Sequence, residues 1–212
     1  MSRISRARKN EIRNKILDTA YSHFQTSGYD HTNTREITQE SGIAEGTLYN
    51  YFPDKATLFL EAMTTRFVPV ISQTNSCTSL IDLGQFLTDK LQIFFSFPKE
   101  TMRRIVVIFL DLSAKESPVV KRLVLLDELF LKELKVLFDF WVEKGIMKTC
   151  DTDMVSSIVF ATLIYEMMNY LFDDNRSEKA LSEAVQRKVD FFLKGWMIPS
   201  QVQQHPKRQS FL

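Results

Sequence analysis

Glycine and proline are so sparse here, six of each in 212 residues, that a sheet with its many tight turns is hard to build and helices become the default. Neither interrupts the stretch from Ile146 to Lys194. Apolar residues then recur at helical spacing. Ile12, Ile16, Ala20 and Phe24 repeat every four positions, with Leu17 widening the stripe, which predicts a first helix from about Arg8 to Thr26. Ser27-Gly28 ends it, Gly28 being placed for a left-handed C-cap. Thr34 is read as the N-cap of a short helix over Arg35–Ser41. The tight turn Gly42-Ile43-Ala44 leads to another short helix, Glu45–Tyr51. Pro53-Asp54 breaks the pattern, and Asp54 can cap a longer helix, Lys55–Ser72, with Leu58, Phe59, Ala62 and Met63 on its buried side. Further helices are expected over Leu80–Phe97, Lys99–Ala114, Pro118–Lys144, Met154–Phe172 and Glu178–Met197. Pro98 and Pro118 stand at starts, Gly145 follows an end, and Asp151 or Asp153 caps the helix after it. The expected fold is all-α, with about nine helices.

With 44% hydrophobic and 25% charged residues the chain is ordinary globular material. The net charge of +1 matters less than its distribution. Arg3, Arg6, Arg8, Lys9, Arg13 and Lys15 face one acid, Glu11, within the first fifteen residues. A basic arm ahead of a compact helical unit is a nucleic-acid footprint, although many chains begin with a solvated basic tail. No apolar core follows that arm, so it does not read as a signal peptide.

Met154–Phe172 approaches membrane-spanning length with Glu166 as its single charge. Asp151, Asp153, Asp173 and Asp174 flank it, which gives no positive-inside signal, and Glu166 and Asn169 would be costly in lipid. No membrane is expected, and a cytoplasmic location is. Catalysis has little to work with. His23, His31 and His205 are scattered, and no HExxH, GxSxG, Walker loop or paired Glu-x-x-His occurs. Cys77 and Cys150 are far apart and show no metal-type spacing. The chain reads as no enzyme, with neither cofactor nor metal; a helical enzyme and a helical protein-interaction adaptor are the competing classes.

The decisive residues are Thr34-Arg35-Glu36-Ile37, then Gly42-Ile43-Ala44-Glu45-Gly46-Thr47-Leu48-Tyr49-Asn50-Tyr51-Phe52, then Lys55 and Leu58. The run G-I-x-x-G-T-L-Y-x-Y-F-x-x-K-x-x-L resembles the DNA-binding domain of the TetR/AcrR family of transcriptional regulators. The physics agrees: two short helices joined by a glycine turn make a helix-turn-helix. Ile37, Ile43, Leu48 and Phe52 would form a small core against Ile16 and Phe24. Glu45, Gly46, Thr47, Asn50 and Tyr51 are left pointing outward. The resemblance implies phosphate contacts from Thr34, Thr47, Tyr49, Tyr51 and Lys55, and base-facing positions for Arg35 and Glu45. Hydroxyls, a helix N-terminus and an ammonium suit phosphate. Arg35 suits guanine and Glu45 suits cytosine, and Gly46 would let the backbone approach closely. Taken singly, Tyr49 and Tyr51 can equally be packing aromatics and Lys55 a solvated lysine. Two departures stand out. Thr38 and Ala44 occupy positions where the family often has Ala and Ser or Thr, so the recognition helix lacks a capping hydroxyl.

The expected organisation is a basic arm (1–7), a three-helix DNA-binding domain (8–56), a larger helical ligand-binding and dimerisation domain (57–198) and a flexible tail (199–212). Met154–Phe172 is apolar nearly all round, and such a helix must be buried on every face. A second copy of the chain is the natural cover, as the family resemblance also implies. Leu126, Leu137, Trp141, Val155, Val159, Leu163 and Met167 are candidate homodimer residues. Phe86, Phe94, Met102, Phe109, Phe130, Phe160 and Met168 are candidate walls of an apolar pocket, with plain core packing as the alternative for each. Asp111 and Glu166 are candidate polar anchors, although Asp111 can equally pair with Lys115 one turn on. The function implied is a ligand-responsive regulator, a repressor. It would bind a palindromic double-stranded operator as a homodimer and leave it when a small hydrophobic or amphipathic effector binds.

Overall fold

The computed structural model describes residues 5–71, 79–115 and 117–199. Arg3 of the basic arm, Cys77 and most of the expected tail lie outside the described residues. Within them the chain forms α1 (Arg6–His31), α2 (Thr34–Ser41), α3 (Glu45–Tyr51), α4 (Lys55–Ile71), α5 (Leu80–Phe95), α6 (Lys99–Ser113), α7 (Pro118–Glu143), α8 (Thr152–Phe172) and α9 (Glu178–Leu193). The fold is all-α, and the pairing of Met147 with Met197 is an isolated bridge.

Most ends follow local chemistry. Asp54 accepts from the Thr57 amide at 2.6 Å, and Asp151 from the Met154 amide at 3.0 Å. Gly28 interrupts α1 with φ 74° and ψ 173°, a region essentially reserved for glycine. Its ψ is not that of the left-handed cap expected, and the helix is kinked there rather than ended, resuming as far as His31. A Cβ at this position would lie 3.2 Å from Thr101 Oγ1. A second cap also differs from expectation: Asn33, not Thr34, caps α2, its side chain accepting from the Arg35 amide at 2.9 Å. Both residues are good caps, and the asparagine is one position better placed.

The chain divides into two compact units, neither continuous in sequence: residues 1–73 with 91–128, and residues 74–90 with 129–212. The boundary read at 56/57 does not coincide with this division, because α4 belongs to the first unit. Its reason is packing: Phe24 of α1 meets Phe59 of α4 with ring centroids 4.8 Å apart, and Ile16, Phe24, Leu58, Phe59, Ala62 and Met63 are all buried.

In the second unit α8 is long and apolar enough to cross a membrane by length and composition alone. Its interior is that of a core helix: Glu166 is buried and paired with Arg176 and Lys188. Burial pulls that carboxyl upward, but the hydrogen bonds from Lys188 and Arg176 outweigh it and hold the pKa below its ordinary value.

Candidate nucleic-acid interface

The helix-turn-helix is built from α2, a left-handed Gly42 (φ 68°, ψ 36°) and α3. Gly42 donates to the carbonyls of Gln39 and Thr38 and thereby closes α2. Ile43 follows, its amide on Thr38 O at 3.0 Å. Ala44 precedes α3 in an extended conformation, and no side chain caps the helix.

Ile37, Leu48 and Phe52 are buried together with Ile16 and Phe24, as their spacing implies, whereas Ile43 is half-buried. Leu48 anchors α3, which orients the rest of that helix. Glu45, Gly46, Tyr49 and Asn50 are exposed, and Thr47 and Tyr51 are half-exposed. A Cβ on Gly46 would meet nothing within 4 Å, so that glycine leaves bare backbone at the surface rather than serving internal packing. Thr34 Oγ1 lies 3.5 Å from Tyr49 Oη, which brings two hydroxyls from α2 and α3 side by side. Arg35 is exposed.

Lys55 is more constrained than the sequence suggests. Its Nζ donates to the Asp30 carbonyl at 3.4 Å and sits 4.7 Å from the Tyr29 ring centroid. Burial lowers its pKa, with Asp30 acting in the opposite sense. Asp30 is itself held by Arg104 at 2.8 Å. The expected face is thus assembled from Thr34, Arg35, Glu45, Gly46, Thr47, Tyr49 and Asn50, with Tyr51 and Lys55 half-sunk at its edge.

Sequence reasoning missed the groups that brace this face. His23 Nε2 meets Glu40 Oε2 at 2.8 Å and ties α1 to α2. Glu61, buried in α4, pairs with both Arg13 and Arg122. The Arg13 guanidinium also lies 5.2 Å from the Phe52 ring centroid, at the end of α3. Burial lowers the pKa of Arg13, and Arg122 lowers it further. The lone acid of α4 after its first turn was the available signal. The basic arm is in part the first turns of α1, which begins at Arg6 under a Ser5 cap.

Two other sets need correction. Trp141, Val155, Val159, Leu163, Met167 and Leu126 are buried inside the subunit, and Leu137 is half-buried. The six buried ones are core, not a free face. The exposed apolar side chains of the same helices are Val124, Leu125, Val136 and Phe140 on α7, and Met154, Ile158, Ile164, Tyr165 and Phe172 on α8. Of the expected pocket residues, Phe86, Phe130, Phe160, Glu166 and Met168 fall in the second unit and Phe94, Met102, Phe109 and Asp111 in the first. Phe94 packs on Phe67 at 5.1 Å, Met102 is buried and Phe109 half-buried. Asp111 is exposed and bridged to Lys115 at 2.6 Å, so it is no buried anchor. Glu166 is buried, but both its oxygens are already taken. Among the described residues no cluster of metal-binding side chains occurs.

A glycine turn, a short helix pinned by one leucine and an outward polar face define the class: an all-helical helix-turn-helix protein. Residues 16–62 match the family described as bacterial regulatory proteins, tetR family, and the helix-turn-helix domain of this chain belongs to it. An uncharacterised HTH-type transcriptional regulator of Bacillus subtilis, YxaF, is 44% identical over 57 residues, 26% of this chain and 30% of that protein. The HTH-type transcriptional repressor KstR of Rhodococcus jostii is 31% identical over 94 residues, 44% of this chain and 42% of the repressor. The matches thus span less than half the length of these curated relatives. The crystal structure of a TetR-family transcriptional regulator from Pectobacterium atrosepticum superposes with a TM-score of 0.65 at 18% identity, covering 92% of this chain and 98% of that one. That likeness establishes the fold over nearly the whole chain.

Proposed function

We propose that this chain is a cytoplasmic transcriptional repressor that binds a palindromic operator as a homodimer and releases it when a small hydrophobic or amphipathic effector binds. The observation that carries the reading is the outward face of α3. Leu48 alone is buried there, while Glu45, Gly46, Tyr49 and Asn50 are exposed beside Thr34 and Arg35. Such a face enters a major groove N-terminus first. Hydroxyls, bare amides and Lys55 grip phosphates, which fix the register, while Arg35 and Glu45 read base edges. The name of KstR as a repressor favours repression.

Pairing follows from the apolar side chains left in solvent. Met154, Ile158, Ala161 and Tyr165 are exposed at helical spacing on α8, as are Val136 and Phe140 on α7. An isologous contact would cover both stripes. Half-sites one turn of DNA apart are separated by about 34–36 Å, the spacing at which a two-fold pair would have to present its two copies of α3. An effector then acts through its differential affinity for two arrangements of that pair, with a coupling of about 1–3 kcal/mol.

The test is a gel shift with duplexes enriched from a random library, repeated over a salt series. Affinity should fall steeply with salt. Lys55→Ala should weaken all duplexes about equally and flatten the salt slope, whereas Arg35→Ala should relax selection at one base pair. Absence of any salt-dependent duplex binding would overturn the assignment.

A further inference from the structure

Two charged side chains of the second unit are buried where charge is expensive. Lys90 on α5 and Glu133 on α7 are only 7% and 12% exposed, and their Nζ and Oε2 atoms stand 3.8 Å apart. That separation is within ion-pair range but too long for a hydrogen bond. Among the described residues Glu133 Oε2 is buried and receives no hydrogen bond. Glu166 in the same unit shows the contrast: it is buried more deeply still, yet Arg176 and Lys188 each donate to one of its oxygens. Burial raises the pKa of Glu133, with Lys90 pulling it back.

The pair borders a layer of aromatic rings. Lys90 Nζ lies 4.9 Å from the Phe86 centroid. Phe86 stacks on Phe130 at 6.2 Å, and Phe130 meets Phe160 edge-on at 5.9 Å. An apolar wall with a few convergent polar groups is how a small-molecule site is made.

We propose that Lys90 and Glu133 form the polar end of an effector site for a neutral aromatic hydroxyl compound, a phenol or aryl alcohol, whose rings lie against Phe86, Phe130 and Phe160. This rests on the reading of the protein as an effector-controlled regulator and names the effector's chemistry. A hydroxyl both donates and accepts. It gives Glu133 Oε2 the donor it lacks and accepts from the ammonium, which carries three donors and can keep its other partners. A carboxylate ligand would face the Glu133 charge, and an ammonium ligand would face Lys90. Neutrality is therefore selected from both sides.

The experiment is calorimetric titration of the full chain with four probes sharing one ring system: 2-naphthol, naphthalene, 2-naphthoate and 2-naphthylmethylammonium. 2-Naphthol should bind about tenfold or more tighter than each of the others, the scale of one buried hydrogen bond. Glu133→Leu and Lys90→Met should each remove that advantage, so that 2-naphthol and naphthalene bind alike. Tighter binding of either charged probe overturns the proposal, as does no binding of any probe or an undiminished preference for 2-naphthol in both variants. If a variant fails to fold, the ranking on the unaltered chain decides. The salt-dependent gel shift separates the two claims. Intact duplex binding without the 2-naphthol preference sinks the effector site alone. Absent duplex binding sinks the regulator reading, whatever the probes do.

Discussion

Helices α3 and α8 differ in how many of their faces have a partner inside the subunit. In the seven residues of α3 only Leu48 is buried, so one anchor determines where every other side chain points. In the 21 residues of α8, Val155, Val159, Leu163 and Met167 are buried on one side, while Met154, Ile158, Ile164 and Tyr165 are exposed on another. A short polar helix with one apolar residue declares its outer face. A long helix that is apolar all round has two candidate inner faces, and periodicity does not choose between them.

The sharpest way to break this contrast is at adjacent residues of α7. Trp141 is fully buried and Phe140 is exposed. Trp141→Ala should cost about 3–5 kcal/mol in chemical denaturation. Phe140→Ala should leave subunit packing intact and shift the concentration at which the mass changes from dimer to monomer in sedimentation. The reverse pattern would mean that the inner and outer stripes are exchanged.

On α3, Leu48→Ala should cost about 2–5 kcal/mol, against about 0.5 kcal/mol or less for Asn50→Ala, again by denaturation. The same Asn50→Ala should weaken duplex binding in the gel shift. A residue neutral for stability but needed for binding is what an outward face requires.

The smallest effect concerns the missing cap. Ala44 is exposed, extended and without a side-chain hydrogen bond. Ala44→Ser should add about 1 kcal/mol by capping α3, read as a rise in Tm. A fall would mean that the start of the helix is not free to accept a hydroxyl.

These contrasts also explain what the sequence disclosed. The helix order and the α3 face were legible because Gly42, Leu48 and Pro53 each impose one local outcome. The cap at Asn33 was missed because Asn33 and Thr34 offer the same chemistry one residue apart. Trp141, Val155 and Val159 were placed on the wrong side because both stripes of α7 and α8 are apolar. Asp111 stood out in an apolar run, yet it simply reaches Lys115 one turn on. Lys90 and Glu133 went unnoticed for the opposite reason: lysine and glutamate read as surface. The clue was positional, since Lys90 follows Phe86 by four residues and Glu133 follows Phe130 by three, which puts each charge on its helix's aromatic face.

On the proposed reading, the surface between Thr34 and Lys55 meets DNA. Amide hydrogen exchange with and without an enriched duplex tests it directly. New protection should be concentrated at Thr34–Glu36 and Glu45–Asn50, with the α9 amides unchanged. Protection absent there, or gathered on the second unit instead, would contradict it.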